Sequence, residues 1–267
     1  MRPKITFPDL GRMGRLGNQL HQIAATFGIG QTHGMRAQFP ENWKYRPYFS
    51  IPDESFGNKV GTPAYEFYNI DIRHRGYLQD YSLWRDIAYW VKICFQPSLL
   101  AKEILFSYKY DWYHSLIQKV SLHVRRGDNV GRPDLYPMPS LNYYKKALEQ
   151  VPDWPVVVFS DDIPWCKETL PREFPEKQFY YFEGIAHPKE DTLGYSASPA
   201  HDWIDLFLMT YADVHVISNS SYSWWGAYLS NDPVLVYPSV WWGPKIMEYA
   251  DPTLMFVEPR WRKVDSR

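Results

Sequence analysis

The chain has 267 residues, enough for one large globular domain or two smaller ones. Its formal net charge is -1, with 29 basic and 30 acidic side chains, so it lacks the basic excess typical of nucleic-acid-binding proteins. The two cysteines, Cys94 and Cys166, are too few for a disulfide framework and form no C-x-x-C pair, which indicates free thiols.

A glycine-rich loop followed by a helix is predicted near the start of the chain. Residues 11–19 read GRMGRLGNQ, and the apolar residues from Leu20 to Phe27 then follow the spacing of an amphipathic helix. Backbone N–H groups of such a loop, together with a helix N-terminus, suit an anion. An ordinary turn would show the same sequence, so both interpretations stay open.

Aromatic residues are abundant, at 18% of the chain, and residues 38–80 are especially rich in them without clean periodicity. We predict loops and short strands there, in a region that could face a ligand. Sugar faces stack on aromatic rings, and Trp43 or Trp84 are candidates for such a contact. The same composition would equally suit an aromatic core.

From about residue 119, short apolar runs alternate with helical patterns. Strands are predicted at 119–124, 156–159, 179–182, 214–217 and 234–236. Helices are predicted at 142–151, 164–170, 201–212 and 222–229. This alternation predicts a parallel α/β sheet, whose ligand lies beyond the carboxyl ends of the strands.

Polar clusters follow three of these strands. Arg125 and Arg126 come directly after the first, and paired arginines suit a phosphate, although an ion pair with Asp128 is the simpler interpretation. Asp161 and Asp162 follow the second strand and could bind a metal, a ribose or a base edge, or cap the next helix.

The third cluster, Asn219-Ser220-Ser221, opens a predicted helix, where hydroxyl and N–H groups suit a phosphate or simply cap the helix. The chain has no D-x-D, no H-E-x-x-H and no Cys/His cluster. We therefore expect no metal ion and no other cofactor.

Taken together, the strings GRLGNQLHQIA, HVRRGD, FSDDIPW and SNSSYSWWGAYLS, spread over residues 14–230, resemble the motifs of the inverting α-1,2-fucosyltransferases of glycosyltransferase family 11. The resemblance implies an α/β GT-B fold, with two Rossmann-like domains and the nucleotide-sugar site in the cleft between them. We expect an acceptor-side domain at 1–117, a nucleotide-sugar-binding domain at 118–240, and a tail at 241–267 that can cross back.

The resemblance also implies roles for individual residues. Arg125 would hold the β-phosphate of GDP, His123 would lie near the guanine and ribose, and Asp205 would read the guanine edge. Ser221 would reach the diphosphate. The whole donor-binding set is Arg15, Gly17, Asn18, His123, Arg125, Asp161, Asp205, Asn219, Ser220 and Ser221. Arg125 is the main catalytic candidate, with Asp128 as the first candidate base and Asp161 as the second.

The implied activity is that of a galactoside 2-α-L-fucosyltransferase, which moves fucose from GDP-fucose to a galactose 2-hydroxyl of a glycan. A transferase for another GDP-sugar and a noncatalytic glycan-binding protein on the same fold are the alternatives. No signal-like or membrane-spanning apolar segment is present, which predicts a cytoplasmic protein if Met1 is the native start. Peripheral association with a membrane stays open.

Overall fold

The computed structural model describes residues 3–57, 62–63, 77–183, 202–231, 234–248, 250–256 and 260–267. The chain divides into two compact units. The first contains Met1–Ile104 and Tyr249–Val257, and the second contains Leu105–Glu248 and Glu258–Arg267. The first thus takes a short piece of the tail. The predicted limits at 117 and 240 separate an acceptor-side domain, a nucleotide-sugar-binding domain and a tail, and this division by binding role stays a prediction.

A four-stranded parallel sheet forms the centre of the first unit, in the order β3-β2-β1-β4. Its strands are β1 (Lys4–Thr6), β2 (Arg36–Pro40), β3 (Phe56–Gly57) and β4 (Thr62–Pro63). The predicted first helix is confirmed as α1 (Leu16–Thr32), which connects β1 to β2 in a Rossmann-like βαβ unit. Gly28 lets α1 approach residue 83, because a Cβ there would lie 2.0 Å from the Leu83 carbonyl oxygen.

Short elements complete the first unit. They are the helices α2 (Ala88–Cys94) and α3 (Leu99–Leu105) and the 3₁₀ turns Arg46–Tyr48, Asp53–Ser55, Tyr81–Leu83, Arg85–Ile87 and Pro252–Met255. The suggestion that Trp43 or Trp84 stacks on an acceptor sugar is wrong, because their exposed fractions are only 2% and 1%. Trp43 instead packs in the core against Phe49 and Phe56.

The second unit contains the parallel sheet predicted from the alternating pattern. Its six strands run in the order β10-β9-β8-β5-β6-β7. They are β5 (Val120–Val124), β6 (Val156–Ser160), β7 (Phe179–Tyr181), β8 (Val214–Val216), β9 (Val234–Pro238) and β10 (Arg262–Val264). Valine dominates the central strands because helices cover both faces of such a sheet.

Helices follow the strands in alternation, as predicted. They are α4 (Asp111–Ser115), α5 (Leu141–Leu148), α6 (Ile163–Glu173), α7 (Asp202–Thr210), α8 (Ser221–Tyr228) and α9 (Pro244–Met247). The strand order reverses between β5 and β8, because β6 and β7 extend the sheet on one side and β9 and β10 on the other. In doubly wound sheets, ligands bind beyond the carboxyl ends of the strands at this reversal.

The two tryptophans of α8 belong to the core and not to a ligand surface. Trp224 and Trp225 are fully buried, and their rings meet edge to face at a centroid distance of 4.9 Å. Trp261, next to β10, packs on Trp224 at 5.9 Å. Such aromatic pairs add about 0.5–1.5 kcal/mol beyond the burial of their area. The aromatic half of the SYSWWG string therefore fixes α8 in place.

The state of the two cysteines and the apolarity of the helices were also predicted from the sequence. Cys94 and Cys166 are free thiols, as predicted, and burial raises the pKa of Cys94 to about 12 and that of Cys166 to about 11. Among the residues that the structure describes, no helix is both long and apolar enough to cross a bilayer.

Candidate active site

The three predicted polar clusters of the second unit lie at one edge of its sheet. Val124 of β5 pairs with Ser160 of β6, and Leu122 pairs with Val216 of β8, so the loops that follow these strands leave the sheet side by side. The cluster after β5 and the cluster after β8 flank the point where the strand order reverses. The sequence predicted this meeting place from the positions of the motifs alone.

A buried serine, Ser218, joins the loops after β5 and β8. Its hydroxyl donates a hydrogen bond to the carbonyl oxygen of His123 at 2.7 Å and accepts one from the backbone N–H of Arg125 at 2.8 Å. The hydroxyl of Tyr144 lies 3.1 Å away. Ser218 was not predicted from the sequence, although it directly precedes Asn219. Its hydroxyl fixes the backbone on both sides of Val124.

Arg125 reaches this edge with its guanidinium held between two carboxylates. One guanidinium nitrogen pairs with Asp161 and another with Asp128. The two acids differ in environment, since the Asp161 side chain is 9% exposed and that of Asp128 is 45% exposed. The ion pair with Asp128, the simpler interpretation of the motif, is therefore present. This ion pair leaves Arg125 able to bind a ligand, because an exposed carboxylate such as that of Asp128 is readily replaced by another anion.

Asp161 is enclosed by the turn that contains the two arginines. Its second carboxylate oxygen accepts the backbone N–H of Arg126 at 2.8 Å. Gly127, with a φ of +23°, completes the enclosure, because a Cβ there would lie 2.3 Å from the first oxygen of Asp161. Both carboxylate oxygens of Asp161 thus hold the turn of Arg125 and Arg126 in place. This geometry favours a positioning role for Asp161 over the role of base.

The second arginine of the motif contacts other groups. The Arg126 Nε lies 3.0 Å from a carboxylate oxygen of Asp162, and its guanidinium lies 4.0 Å from the ring centroid of Trp165. Asp162 also accepts the backbone N–H of Trp165 at 3.2 Å and so caps α6, one of the two interpretations of this residue. Among these neighbours, Arg126 is a structural residue.

The polar residues of the loop after β8 have different surroundings. Asn219 donates both N–H bonds of its side chain inside the protein, to the carbonyl oxygens of Pro137 at 2.7 Å and Trp241 at 3.0 Å. Ser220 precedes α8 in an extended conformation, and its hydroxyl does not cap the helix. Ser220 and Ser221 are both half-buried, and the N-terminus of a helix is a position that suits an anion.

His123 is the second-last residue of β5, and Asp205 lies in the first turn of α7. His123 is buried, and its ring centroid lies 5.8 Å from that of Tyr222, whose hydroxyl donates to the carbonyl oxygen of Asp202. Asp205 follows Asp202 on α7. Although Asp205 is only half-buried by surface exposure, dense surrounding protein raises its pKa well above the ordinary range, and the Asp202 carboxylate raises it further.

Stability should therefore depend on pH through Asp205. Above the ordinary carboxyl pKa, the unfolded chain has released a proton that folded Asp205 still holds, so stability falls as the pH rises through this window. We expect Asp205→Asn to raise the urea midpoint relative to the parent chain, with a gain that grows from pH 4 to pH 8. Asp202→Asn should flatten the dependence only in part. Parallel pH profiles of Asp205→Asn and the parent would contradict this assignment.

In the first unit, the predicted glycine-rich loop connects β1 to α1. Gly14, with a φ of +75°, needs the conformational freedom of glycine, and its carbonyl oxygen accepts a hydrogen bond from the Gln19 side chain at 2.8 Å. The Gln22 side chain holds the carbonyl oxygen of Met13 at 3.1 Å. Neither glutamine was predicted from the sequence, where the available signal is a polar side chain on the buried face of a helix.

The three predicted residues of this loop have different surroundings. Arg15 precedes α1 with an exposed side chain, and Gly17 is buried in the first turn of the helix. Asn18 is half-buried, and its side-chain oxygen accepts a hydrogen bond from Gln79 at 2.6 Å. The loop is thus a fixed structure with an exposed cation at the helix start. Its contact with a nucleotide-sugar stays a prediction.

No group of three or more His, Cys, Asp or Glu side chains could hold a metal ion within the described ranges. The absence of a metal requirement stays a prediction, because binding by a substrate diphosphate together with protein groups would leave no such cluster.

Sequence comparison identifies related proteins. The profile described as Glycosyl transferase family 11 matches residues 31–248. The O-antigen biosynthesis glycosyltransferase WbnK of Escherichia coli is 35% identical over 130 residues, which cover 45% of this chain and 38% of WbnK. An alpha-1,2-colitosyltransferase of Escherichia coli is 30% identical over 145 residues, covering 50% and 44%. The match thus spans less than half the length of either relative.

Structural comparison points to the same group of folds. The α-1,6-fucosyltransferase NodZ from Bradyrhizobium, solved after soaking with GDP-fucose, superimposes with a TM-score of 0.52 at 11% identity, covering 86% of this chain and 93% of NodZ. At this identity the likeness concerns the fold alone. It confirms the predicted α/β GT-B fold.

Proposed function

The chain belongs to glycosyl transferase family 11, and on this basis we propose that it transfers L-fucose from GDP-fucose to the 2-hydroxyl of a galactose in a glycan, with inversion and without a metal ion. One observation carries the proposal. Arg125 lies where the strand order of a doubly wound sheet reverses, with its backbone fixed by Ser218 and its side chain 12% exposed. This is the position at which such sheets bind nucleotides.

The chemistry of the leaving group explains why an arginine belongs there. When the bond between fucose and GDP breaks, negative charge develops on the β-phosphate. A guanidinium donates paired hydrogen bonds to phosphate oxygens and keeps its charge at any physiological pH. Arg125 would stabilise this charge, with the start of α8 at Ser220 and Ser221 as a second donor group. Removal of one such fixed donor commonly costs about 3–4 kcal/mol of transition-state stabilisation.

The acceptor hydroxyl must lose a proton as it attacks the sugar. Asp128 is the first candidate base, because it lies beside Arg125 and is 45% exposed, so it can turn toward an incoming hydroxyl. Asp161 was the second candidate, but its oxygens hold Arg125 and the backbone of Arg126. We assign the proton transfer to Asp128 and the positioning of the arginine to Asp161.

A second donor sugar is favoured by a specific observation. One relative is named an alpha-1,2-colitosyltransferase, so a related enzyme transfers another deoxy sugar, colitose, in the same linkage. Guanine and phosphate contacts would be the same for both donors, and the pocket around the sugar would decide between them. The third alternative, a noncatalytic glycan-binding protein, would leave Arg125 without a diphosphate to bind.

The decisive experiment incubates the protein with GDP-fucose, GDP-colitose or GDP-mannose and with lactose or N-acetyllactosamine, followed by linkage analysis of the products. We expect transfer from GDP-fucose in α-1,2 linkage, at a rate that EDTA leaves unchanged. Faster transfer from GDP-colitose would reassign the donor, and an α-1,6 product would reject the linkage. Loss of activity in EDTA that Mn²⁺ restores would reject the metal-free mechanism. Glycan binding without any GDP binding would reject the enzyme.

A further inference from the structure

A loop of residues 130–140, described along its whole length, joins the turn of Arg125 and Arg126 to α5 without forming a helix or strand. Residues 130–134 are exposed, and residues 135–140 are half-buried. Pro133, Pro137 and Pro139 have no backbone N–H to donate, which works against a regular hydrogen-bonded element. The position of this 130–140 loop is therefore set by its contacts with other parts of the second unit.

A series of backbone hydrogen bonds connects the 130–140 loop to the turn. The carbonyl oxygen of Arg126 accepts the N–H of Asn129 at 2.8 Å. In the same way, the carbonyl oxygen of Asn129 accepts the N–H of Arg132 at 3.0 Å, and that of Arg132 accepts the N–H of Tyr136 at 2.8 Å. A displacement of the loop at residue 136 would therefore also shift the turn, and with it the side chain of Arg125.

Asn219, two residues before α8, holds the second half of the loop. Its side-chain nitrogen donates one N–H to the carbonyl oxygen of Pro137 at 2.7 Å and the other to that of Trp241 at 3.0 Å. Carbonyl oxygens only accept hydrogen bonds, so these two partners fix the orientation of the amide. One side chain thus joins the loops that follow β5, β8 and β9.

The start of α9 makes a second contact with the same loop. The backbone N–H of Gly243 donates to the carbonyl oxygen of Leu135 at 2.8 Å, and the Lys245 ammonium lies 2.6 Å from a carboxylate oxygen of Asp134. Gly243 has an ordinary φ of -77°, so glycine is not required there for its conformation. It is required for room, because a Cβ would lie 2.3 Å from the carbonyl oxygen of Asp134.

The side chain of Asn219 has no hydrogen-bond donor left for a diphosphate. Asn219 is 6% exposed, and both of its side-chain N–H groups are donated inside the protein. Its remaining polar atom, the side-chain oxygen, is an acceptor, and phosphate oxygens are acceptors as well. Any contribution of this side chain to the donor site therefore acts through its neighbours.

We propose that Asn219 is a positioning residue of the donor site and not a contact of the donor. It fixes the 130–140 loop, and with it the turn that carries Arg125, relative to the start of α8, so that the guanidinium and the helix start face one diphosphate. Ser218 holds the turn where it leaves β5, and Asn219 holds it through the loop that follows. The proposal rests on the proposed function, because it needs a diphosphate at Arg125 and α8.

The test compares two variants that disturb the loop at different places. Asn219→Ala removes both N–H donors. Gly243→Ala adds a methyl group that displaces the exposed part of the loop near Asp134 and leaves Asn219 intact. If Asn219 bound the donor directly, only its own replacement would weaken binding. We expect both variants to weaken GDP binding, because both move the same loop.

Isothermal titration with GDP and with GMP gives the readout. GMP lacks the β-phosphate that Arg125 would hold, so a displaced turn weakens GDP binding and spares GMP binding, whereas a general loss of structure weakens both. We expect Asn219→Ala to raise the Kd of GDP at least about tenfold and Gly243→Ala about three- to tenfold, with the Kd of GMP within about twofold of the parent. The double variant should exceed Asn219→Ala only slightly, because both changes act through one loop.

Ser230→Ala is the matched control for the loss of a buried polar group. The Ser230 hydroxyl donates to the carbonyl oxygen of Ala227 at 2.7 Å and lies 3.0 Å from a ring nitrogen of His215, just beyond the C-terminal end of α8. Ser230 is 4% exposed. Its replacement should lower the urea midpoint, as Asn219→Ala does, and leave the Kd of both nucleotides unchanged.

Each other outcome has a definite meaning. Parental GDP affinity in Gly243→Ala, with weakened affinity in Asn219→Ala, would overturn the proposal, as would equal losses of GDP and GMP affinity in either variant. If the parent chain binds neither nucleotide, or binds both equally, the proposed function fails, and amide hydrogen exchange of residues 126–136 decides the positioning role. Faster exchange there in Asn219→Ala than in Ser230→Ala supports that role, and equal exchange overturns it.

Discussion

Replacing Arg125 by lysine is expected to lower the rate of sugar transfer by about 10²–10³-fold, the usual effect of losing one fixed donor to a developing charge. Lysine keeps a positive charge beside Asp161, so the fold is preserved. It loses the planar pair of donors that a phosphate requires. The measurement is kcat with saturating GDP-fucose and acceptor, together with the Kd of GDP from titration calorimetry.

The matched control for this variant is Arg132→Lys, an exposed arginine farther along the same segment, which should keep parental kcat. Arg125→Ala is less informative, because it leaves the buried Asp161 carboxylate without its guanidinium partner. Transfer within about threefold of the parent by Arg125→Lys would mean that the guanidinium does not bear the leaving-group charge. The proposed mechanism would then be wrong.

The second large effect is a contrast between the two carboxylates that hold Arg125. Asp161→Asn should destabilise the protein by about 3 kcal/mol, the lower end of the cost of breaking a buried pair, because Asp128 still faces the guanidinium. GDP binding should weaken as well, because Arg125 is no longer fixed. Urea denaturation and calorimetric titration of GDP measure the two effects.

Asp128→Asn should behave in the opposite way. Since Asp128 is 45% exposed, its loss should change the free energy of unfolding by no more than about 1 kcal/mol. GDP should bind as tightly as before or more tightly, because a competing anion beside Arg125 is gone. Transfer should still fall by about 10²–10⁴-fold, the contribution of a general base. If Asp161→Asn spares GDP binding while Asp128→Asn weakens it, the two roles are reversed.

The alternation of strands and helices in the second unit could be predicted from the sequence, because each element shows its pattern within a few neighbouring residues. Strands such as β5 and β6 are runs of apolar residues, and the helices between them show regular spacing. The glycine-rich loop and α1 of the first unit were found in the same way. The strands β1, inside the first sheet, and β10, at the edge of the second, were not predicted. Their residues, KIT and RKV, include one strongly apolar side chain each, whereas the equally short β7 and β8 were recognised from their aromatic or valine residues. β10 is a strand because β9 offers it a partner at Val236.

The sequence by itself determined where polar groups follow strands, and therefore which loops meet at one sheet edge. Only the tertiary structure decided what each group does there. Ser218 and Arg125 are 93 positions apart, and Asp161 and Arg126 are 35 apart. From the sequence alone, Trp43 is a candidate for stacking on a sugar. In the structure its indole N–H donates to the side chain of Gln19, and the ring is buried. Hydrogen-bond partners so distant along the chain are brought together by burial of the whole sheet, and no local pattern encodes which of several serines, aspartates or tryptophans will be enclosed.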